Sequence, residues 1–332
     1  MPDGDMYDLI IVGGGPAGLS AALYATKAAV RTLLIERGSI GGQVAITKGV
    51  ENFPGIKSIS GFDLSENFLK HAKSFGLEVL DEEVVSVQPG DRSHSLRLTD
   101  GRELHTHALI LATGGIPRKL NIPGENKFFG KGVSYCAKCD GFFFLDQTIV
   151  VVGGGDSATE EALYLAKIAS RIHLVHRGKE FRAQGILRQR LKGESKIETY
   201  VSSIITEIKG NDEGVYSVIL KNLQTGERKE LATEGVFIFI GLSPANRLVP
   251  EGVKMTADGY VVTNENRETN IPGIFVAGDL RMKYANQIVI AVADGCVAGL
   301  AASRYVDLIR ERKLSCPIKR EEQKVRRAEE QN

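Results

Sequence analysis

The chain has 332 residues, 42% of them hydrophobic, with 42 Lys plus Arg against 41 Asp plus Glu. This length exceeds what one hydrophobic core usually serves, so we expect two domains. A net charge of +1 gives no general attraction to nucleic acid or to an anionic membrane. Four cysteines are too few for a secreted disulfide scaffold, which favours a cytoplasmic protein.

The N-terminal segment combines an acidic start with an apolar run. MPDGDMYD lacks the basic region of a secretory signal. The run from Leu9 to Thr26 has no charge for 18 residues, which is long enough to suggest a membrane span. It contains GGGP in its middle, however, so we predict a buried strand followed by a helix and expect no membrane partner.

Two segments of the chain share one pattern. YDLIIVGGGPAGLSAALYATKAAVRTLLIERG, from Tyr7, is predicted as a buried strand, a glycine turn, a helix and a second strand ending at Glu36. QTIVVVGGGDSATEEALYLAKIASRIHLVHRG, from Gln147, repeats this pattern 140 positions later, with Gly153 at the place of Gly13. The repetition makes chance a poor explanation for either copy.

Each glycine turn has the features of a dinucleotide site. The first glycine permits the tight turn, the second lets a pyrophosphate approach the backbone, and the third allows the helix to pack closely. The helix N-terminus then faces the phosphates. In the second copy Ala158 replaces the third glycine, a tolerated variant. A βαβ unit without a nucleotide is the alternative for each copy.

The end of the second strand distinguishes the two copies. Glu36 is placed to accept hydrogen bonds from ribose hydroxyls, which suits FAD. The second copy has His176 and Arg177 there, followed by Lys179 and Arg182, and positive charge suits the 2′-phosphate of NADPH. The alternative for this basic cluster is a solvated strand end.

The remaining apolar strands predict a discontinuous domain. TNIPGIFVAGDL ends at an acid, Asp279, that can reach the ribityl chain of a flavin. LILATGG (109–115) and FIFIGLSPAN (237–246) mark where the chain leaves the first domain and returns to it. We therefore predict an α/β protein with two Rossmann-like domains of the three-layer ββα type. The FAD-binding domain comprises residues 1–116 and 244–332, and the inserted NAD(P)H-binding domain comprises residues 117–243.

The segment SYCAKCDGFFF contains two cysteines, Cys136 and Cys139, separated by two residues. No histidine has a ligand-like spacing to them, so we predict no metal site. A disulfide between them would close too small a ring to add much stability. Thiolates in such pairs act as nucleophile and leaving group in disulfide exchange, so we predict a redox-active pair.

Asp140 and three phenylalanines follow the pair. Asp140 either favours the start of a helix or, if buried beside the phenylalanines, exchanges the proton of a thiolate. Phe142, Phe143 and Phe144 are predicted to pack in the core or at a domain interface. Cys296 and Cys316 are predicted as buried small apolar residues.

Together, the glycine modules, SYCAKCDGFFF, the GGQ at Gly41, the ENFPG at Glu51 and the VAGD at Val276 resemble the low-molecular-weight thioredoxin reductases of bacteria and archaea. The resemblance extends from Tyr7 to about Ile309. The charged tail from Lys319 falls outside it and is predicted to be solvated or disordered.

The resemblance implies a homodimer in which electrons pass from NADPH to FAD, then to the Cys136–Cys139 disulfide, then to thioredoxin or a thioredoxin-like protein. It further implies that Cys139 faces the flavin, that Cys136 attacks the thioredoxin disulfide, and that Asp140 is the acid and base. It also implies two alternating domain orientations.

The motif match and the residue patterns together give two sets of cofactor-binding residues. The FAD set is Gly13, Gly15, Pro16, Ala17, Gly18, Glu36, Arg37, Gly42, Gln43, Asn52, Val84, Thr113, Gly114, Asp279, Asn286, Gln287 and Ile288. The NADPH set is Gly153, Gly155, Asp156, Ser157, Glu160, His176, Arg177, Arg182 and Gly241.

The chain departs from the family pattern at two places. Gly178 stands where the family has the second Arg of His-Arg-Arg, so use of NADH, or of both nucleotides, is an alternative. NQI at Asn286–Ile288 resembles the flavoprotein component of alkyl hydroperoxide reductase, and a peroxiredoxin-linked or glutaredoxin-like partner is therefore a second alternative. A ferredoxin–NADP reductase lacks the cysteine pair, and a non-catalytic flavin redox sensor would not need the second glycine module.

Overall fold

The computed structural model describes residues 6–47 and 49–315, with side chains up to residue 311. In chain order the strands are β1 (Met6–Val12), β2 (Thr32–Glu36), β3 (Glu78–Asp81), β4 (Val84–Gln88), β5 (His94–Leu98), β6 (Glu103–Leu111), β7 (Gly115–Pro117), β8 (Val133–Ser134), β9 (Thr148–Val152), β10 (Arg171–Val175), β11 (Ile197–Tyr200), β12 (Ser203–Gly210), β13 (Val215–Asn222), β14 (Arg228–Ala232), β15 (Gly235–Ile238), β16 (Leu242–Pro244) and β17 (Ile274–Val276). The α-helices are α1 (Pro16–Lys27), α2 (Gly61–Lys73), α3 (Ala137–Asp140), α4 (Asp156–Leu165), α5 (Gly185–Lys192) and α6 (Ile288–Ser315).

The chain divides into two compact units. One, which we call the split unit, comprises Met1–Gly115 and Pro244–Asn332, and the other, the inserted unit, comprises Ile116–Ser243. Each unit contains one of the two repeated segments, and in both segments the predicted strand, glycine turn, helix and strand are confirmed. The charged tail and Cys316 lie outside the described residues.

The split unit is built on a seven-stranded sheet in the order β3-β2-β1-β6-β5-β4, with β17 also paired to β6. Strands β3, β2, β1, β6 and β17 are parallel, whereas β4 and β5 continue the sheet in antiparallel fashion. Parallel strands need crossover connections, which α1 and α2 supply here. The carboxyl ends of β1, β2, β6 and β17 therefore share one edge, where glycine-rich loops follow.

Two apolar cores cover the faces of this sheet. On one face, buried side chains of the parallel strands pack with helix residues such as Leu19 and Ala298. On the other, they pack with Val87 and Leu96 of β4 and β5 and with Val261. The layers are therefore helix, parallel sheet and β-meander, as predicted for the ββα type.

The inserted unit repeats this layering. Its parallel sheet has the order β11-β10-β9-β15-β8, and a separate antiparallel sheet has the order β12-β13-β14. One core joins the two sheets, with Val150 and Val218 completely buried. A second core joins the parallel sheet to the helices through residues such as Ala162 and Leu191. The predicted α/β fold class is confirmed in both units.

Helix α6 packs tightly against α1 within the split unit. A Cβ atom at Gly295 would lie 2.0 Å from the carbonyl oxygen of Ala17, so only glycine permits this approach. By length and composition alone, the stretch Ile288–Glu311 of α6 would be long and apolar enough to cross a membrane. Here Ala298, Ala302 and Val306 of the same helix are fully buried in the core of the split unit.

Candidate functional site

The first glycine turn lies between β1 and α1. Gly13 has φ +111°, and a Cβ there would meet the carbonyl oxygen of Ala112 at 2.3 Å. A Cβ at Gly18 would lie 1.8 Å from the carbonyl oxygen of Gly13, so the third glycine does allow close packing of helix and strand. Nothing lies within 4 Å of a Cβ at Gly15, the residue that precedes α1. The middle position is therefore open, as a cradle for a pyrophosphate requires.

The GGQ segment closes over this turn. The backbone N–H of Gly41 donates to the carbonyl oxygen of Gly14 at 2.8 Å. A short 3-10 helix, Gly42–Val44, follows. A Cβ at Gly42 would lie 3.6 Å from the Cα of Gly15. Gly42, followed by Gln43, therefore lies beside Gly15 at the start of α1, where Pro16 and the buried Ala17 follow.

Glu36 ends β2 beside the turn, as predicted. One carboxylate oxygen accepts the N–H of Gly14 at 2.7 Å, and the other accepts the N–H of Gly38 at 3.1 Å. Each oxygen keeps a further lone pair for a ribose hydroxyl. Arg37 and Arg247 both pair with Glu83, at 3.0 and 2.6 Å. These contacts hold the polar side chains at the end of β2 in place, and the Glu36 carboxylate suits a ribose without a 2′-phosphate.

Other residues of the predicted FAD set lie around the same sheet edge. Asn52 donates to the side-chain oxygen of Gln287 at 3.2 Å, which connects the ENFPG segment to the NQI segment. Thr113 donates to the carbonyl oxygen of Ala245 at 2.8 Å and precedes Gly114, which has φ +70°. Val84 begins β4 with its side chain buried in the core, which leaves only its backbone for a ligand.

Asp279 lies just after β17, in a charged network that the sequence did not predict. Lys283 pairs with Asp279 at 2.6 Å. Asp294, 1% exposed on α6, pairs with Arg267 at 2.8 Å and with Arg281 at 3.0 Å. The sequence signal for it is that Asp294 is the only charged residue between Gln287 and Arg304. Asn286 and Ile288 flank Gln287, and Ile288 begins α6.

The second glycine turn lies between β9 and α4 of the inserted unit. Gly153 has φ +152°, and a Cβ there would meet Ala158 at 2.5 Å. Gly155 is as open as Gly15, since nothing lies within 4 Å of a Cβ. Asp156, at the start of α4, accepts the backbone N–H and the side-chain amide of Gln184 at 2.8 and 3.0 Å. Ser157 and Glu160 lie in the first turns of the same helix.

His176 replaces the carboxylate of the first copy. Its ring is buried, stacks on Phe181 at a centroid distance of 5.4 Å, and lies over Gly154. Burial lowers the pKa of His176, and the charges of Arg182 and Arg177 lower it further, so the ring is neutral at pH 7.

Three basic side chains around His176 are exposed: Arg177, Lys179 and Arg182. The backbone N–H of Arg182 donates to the carbonyl oxygen of Gly154 at 2.7 Å, which fixes this residue beside the glycine turn. Their exposure is compatible with the predicted phosphate site and with the alternative, a solvated strand end. Gly241, with φ +99°, accepts the backbone N–H of Arg118 near the linker strands β7 and β16.

Cys136 and Cys139 form a disulfide in the inserted unit. Cys136 precedes the one-turn helix α3, and its sulfur accepts the backbone N–H of Cys139 at 3.1 Å. The hydroxyl of Ser134 lies 3.0 Å from the N–H of Cys136 and 3.2 Å from its carbonyl oxygen. Cys139 is exposed and Cys136 is half-buried. The pair is thus held by local backbone contacts and is open to a reactant.

The surroundings of Asp140 differ from those expected. Phe142 and Phe143 are each 75% exposed, and Phe144 alone packs in the core, against Phe237 at 5.3 Å. Core packing is therefore confirmed for Phe144 and is wrong for Phe142 and Phe143, because Gly141 and Phe144 are the buried residues of the short 3-10 helix Gly141–Phe144. Packing of Phe142 and Phe143 at a domain interface stays a prediction. Asp140 itself is half-buried. Cys296, predicted to be buried, is also half-buried on α6.

Metal ligation finds no support in the part of the chain that the structure describes. No group of three or more His, Cys, Asp or Glu side chains in residues 6–47 and 49–311 could hold an ion. The two cysteines with the closest spacing are joined to each other.

Comparison with known proteins gives one consistent result. The sequence profile of the family described as pyridine nucleotide-disulphide oxidoreductase matches residues 7–295. A thioredoxin reductase of Bacillus subtilis is 42% identical over 311 residues, which are 94% of this chain and 98% of that protein.

Solved structures agree. The thioredoxin reductase of Lactococcus lactis has 42% identity and a TM-score of 0.88, with 90% of this chain and 99% of that chain covered. The thioredoxin reductase of T. acidophilum has 33% identity and a TM-score of 0.86, with 92% and 99% covered. On these matches, together with the two glycine turns and the disulfide, the chain belongs to the pyridine nucleotide-disulphide oxidoreductases and, within them, to the thioredoxin reductases.

Proposed function

We propose that this chain transfers electrons from NADPH, by way of bound FAD and the Cys136–Cys139 disulfide, to the disulfide of thioredoxin or a thioredoxin-like protein. The observation that carries the proposal is a disulfide with an exposed cysteine in the same unit as an open glycine turn. In each turnover one NADPH and one proton reduce one partner disulfide. One S–S bond breaks, two thiols form, and NADP⁺ is released.

The split unit is the proposed FAD-binding domain. The open position at Gly15, with Gly42 beside it, fits a pyrophosphate, and the carboxylate of Glu36 fits a ribose without a 2′-phosphate. The edge formed by Asn52, Gln287 and Asp279 is the proposed contact for the rest of the cofactor. Bound FAD supplies the chemistry of accepting a hydride and passing on an electron pair.

The inserted unit is the proposed NADPH-binding domain. Gly155 and the start of α4 fit the pyrophosphate, and Arg177 and Arg182 supply charge for the 2′-phosphate. Lys179 is exposed in the same segment and adds to this charge.

The two cysteines have different proposed roles. Cys136 is the thiol that attacks the partner disulfide, since the N–H of Cys139 donates to its sulfur and favours the thiolate. Cys139 is the sulfur that receives electrons from the flavin, by analogy with the family motif. Asp140 is the proposed acid and base, next to Cys139 in the chain and half-buried.

We also propose a cytoplasmic homodimer without a nucleic-acid or membrane partner. Exposed apolar side chains on helices of the split unit, among them Phe62, Leu300 and Leu308, support self-association. The net charge of +1 supports the absence of a polyanionic partner. Light scattering on the purified protein measures the oligomeric state directly.

The first experiment is an anaerobic titration of the FAD-loaded protein with NADPH, followed by flavin absorbance. The wild type should consume about two equivalents per subunit, because flavin and disulfide each accept two electrons. The double variant C136S/C139S should consume about one, while C296S should behave as the wild type. Equal consumption by wild type and double variant would refute electron transfer to the disulfide.

A trapping experiment then tests the partner and the cysteine roles. With C139S, a thioredoxin whose second cysteine is replaced by Ser, and whose remaining cysteine is first converted to its mixed disulfide with thionitrobenzoate, should form a stable mixed disulfide with Cys136 and release thionitrobenzoate. With C136S the same thioredoxin should be captured at least tenfold more slowly. Faster capture by C136S would reverse the assigned roles. No capture by either variant, despite disulfide reduction in the titration, would point to another protein disulfide as substrate.

A further inference from the structure

A lysine lies between the two cysteines and reaches across to a neighbouring helix. Lys138 of α3 is 3.4 Å from a carboxylate oxygen of Glu161 on α4, and its ammonium lies 6.0 Å from the ring centroid of Tyr164. The two charged side chains are only 16% and 21% exposed. An ion pair so poorly exposed is screened much less than one on the surface.

The carboxylate of Glu161 is only partly hydrogen-bonded. Within the described residues, the second carboxylate oxygen of Glu161 is buried without a hydrogen-bond partner. Burial raises the pKa of Glu161, and the charge of Lys138 acts in the opposite direction. A buried carboxylate oxygen without a hydrogen bond destabilises the folded state, so packing alone does not explain why Glu161 is placed here.

The position of Lys138 supplies that reason. The residue adjoins Cys139 in sequence and lies in the same helical turn as the pair, whose Cα atoms are 5.4 Å apart. Reduction of the disulfide by two electrons and one proton leaves one thiol and one thiolate. That new negative charge arises on a residue one or two positions from Lys138 in the chain, while Asp140 is the acid of α3 and Glu161 is the acid of α4 that pairs with Lys138. The thiolate and the carboxylates therefore compete for the ammonium of Lys138.

We propose that Lys138 and Glu161 act as an opposed charge pair that sets the reduction potential of the Cys136–Cys139 couple, with Lys138 stabilising the thiolate and Glu161 limiting that effect. Neither residue is one of the reacting cysteines, and both act through them, so both are positioning residues. The proposal rests on the proposed function only in taking this disulfide as the redox-active one.

The arrangement also connects the redox pair to the proposed nucleotide site. Glu161 lies on α4, the helix that begins at the open glycine turn and carries Ser157 and Glu160. The ammonium of Lys138 is therefore in contact with the helix that begins at this turn. If the residues between the two cysteines carried no cation, a thiolate at Cys136 would be stabilised by the backbone N–H of Cys139 alone.

The test is the reduction potential of the pair in FAD-loaded enzyme, at pH 7 and pH 8.5. Protein is equilibrated with mixtures of reduced and oxidised dithiothreitol, quenched in acid and alkylated, and the peptide with both cysteines is quantified by mass spectrometry. No NADPH or thioredoxin is present, so the result does not depend on turnover. If the charge pair fails this test while NADPH still reduces thioredoxin, the proposal fails and the proposed function stands.

K138Q and E161Q should shift the equilibrium in opposite directions. K138Q should make the pair more reducing and E161Q more oxidising, each by about threefold to tenfold in the equilibrium constant, which is about 15 to 30 mV for two electrons. K138R should behave as the wild type, and K138Q/E161Q should lie between the single variants. The alkylation rate of the reduced enzyme against pH should show the matching shifts of the thiolate pKa.

A matched pair provides the control. Lys209 and Glu230 also form an ion pair in the inserted unit, at 3.2 Å, on the antiparallel sheet. K209Q and E230Q should leave the potential unchanged. If K138Q and E161Q shift it in the same direction, the pair is a mechanical tether between α3 and α4, and the electrostatic proposal is overturned. Absence of any shift overturns it equally.

Discussion

Glu36 accepts the backbone N–H of Gly14, and 140 positions later His176 lies against Gly154 in the equivalent place. In both units, a side chain at the carboxyl end of the second strand packs against the middle glycine of the turn: Glu36 is the last residue of β2, and His176 directly follows β10. One is a carboxylate and the other is a buried neutral imidazole. The two turns therefore share a backbone but offer different chemistry to a ribose, which separates the two proposed cofactors.

Alanine substitutions at the two open glycines, Gly15 and Gly155, should weaken nucleotide binding with little effect on folding. Because nothing lies within 4 Å of a Cβ at Gly15 or Gly155, G15A and G155A should fold, with a loss of at most about 1 kcal/mol at the helix N-cap. G15A should lower FAD affinity, and G155A should raise the KM for NADPH, each by about tenfold or more, since the methyl group occupies the pyrophosphate position.

These effects are measured by FAD content, NADPH kinetics and urea unfolding of the apoprotein. G185A is the control, because Gly185 begins α5 and is equally open. In contrast, G18A should prevent stable folding, because its methyl group would overlap the carbonyl of Gly13. Full FAD content in G15A would argue against a pyrophosphate at this turn.

Arg182 is predicted to discriminate between NADPH and NADH. R182Q should lower kcat/KM for NADPH by about tenfold or more, the value of one charge-assisted hydrogen bond, and leave the value for NADH nearly unchanged. R188Q, which removes an exposed arginine on α5, should change neither. An equal loss with both nucleotides would remove Arg182 from the 2′-phosphate site.

Restoring the arginine that the family pattern has at Gly178 should not simply improve NADPH use. A Cβ at this position would lie 2.6 Å from a ring nitrogen of His176, and that ring is held by Phe181. G178R should therefore lower the free energy of unfolding by about 1–3 kcal/mol. Urea unfolding, with kinetics for both nucleotides, measures the two effects. An unchanged stability with a higher NADPH preference would contradict this expectation.

The features that the sequence predicts correctly are those determined by residues close together in the chain. The strand, turn and helix at each glycine module follow from residues within about 30 positions, and Glu36 ends β2 as predicted. The contact between Asn52 and Gln287 joins residues far apart in the chain, and no spacing rule reaches it. Likewise, the exposure of Phe142 and Phe143 depends on which side of a short helix meets the sheet, which composition does not specify.

Asp294 is predicted to be a structural centre of the split unit. D294N would leave Arg267 and Arg281 without their buried acid, and loss of one partner of a buried pair costs about 3–5 kcal/mol. It should also weaken FAD retention, because Asp294 accepts the N–H of Gly278 next to Asp279. D307N removes an acid from an exposed pair with Arg310 and should cost at most about 1 kcal/mol. A loss from D294N no larger than that from D307N would show that the network is not stabilising.

His94 is predicted to make the split unit less stable in mild acid. Burial lowers its pKa from the ordinary 6.5, and the charge of His107 lowers it further. The unfolded chain therefore binds more protons than the folded chain between the folded pKa and 6.5. The contribution of His94 is fully present above pH 6.5 and is lost as the pH falls toward the folded pKa.

Urea unfolding of the apoprotein at pH 7.5, 6.5 and 5.5 measures this dependence. H94Q should flatten it, at some cost in stability at pH 7.5, because a Gln is not protonated in either state. H71Q, which replaces an exposed histidine on α2, should leave the slope of the wild type unchanged. The buried His173 and His176 have lowered pKa values too, so the inserted unit should retain its own loss in acid in both variants. An equal slope in wild type and H94Q would place the acid sensitivity of the split unit elsewhere.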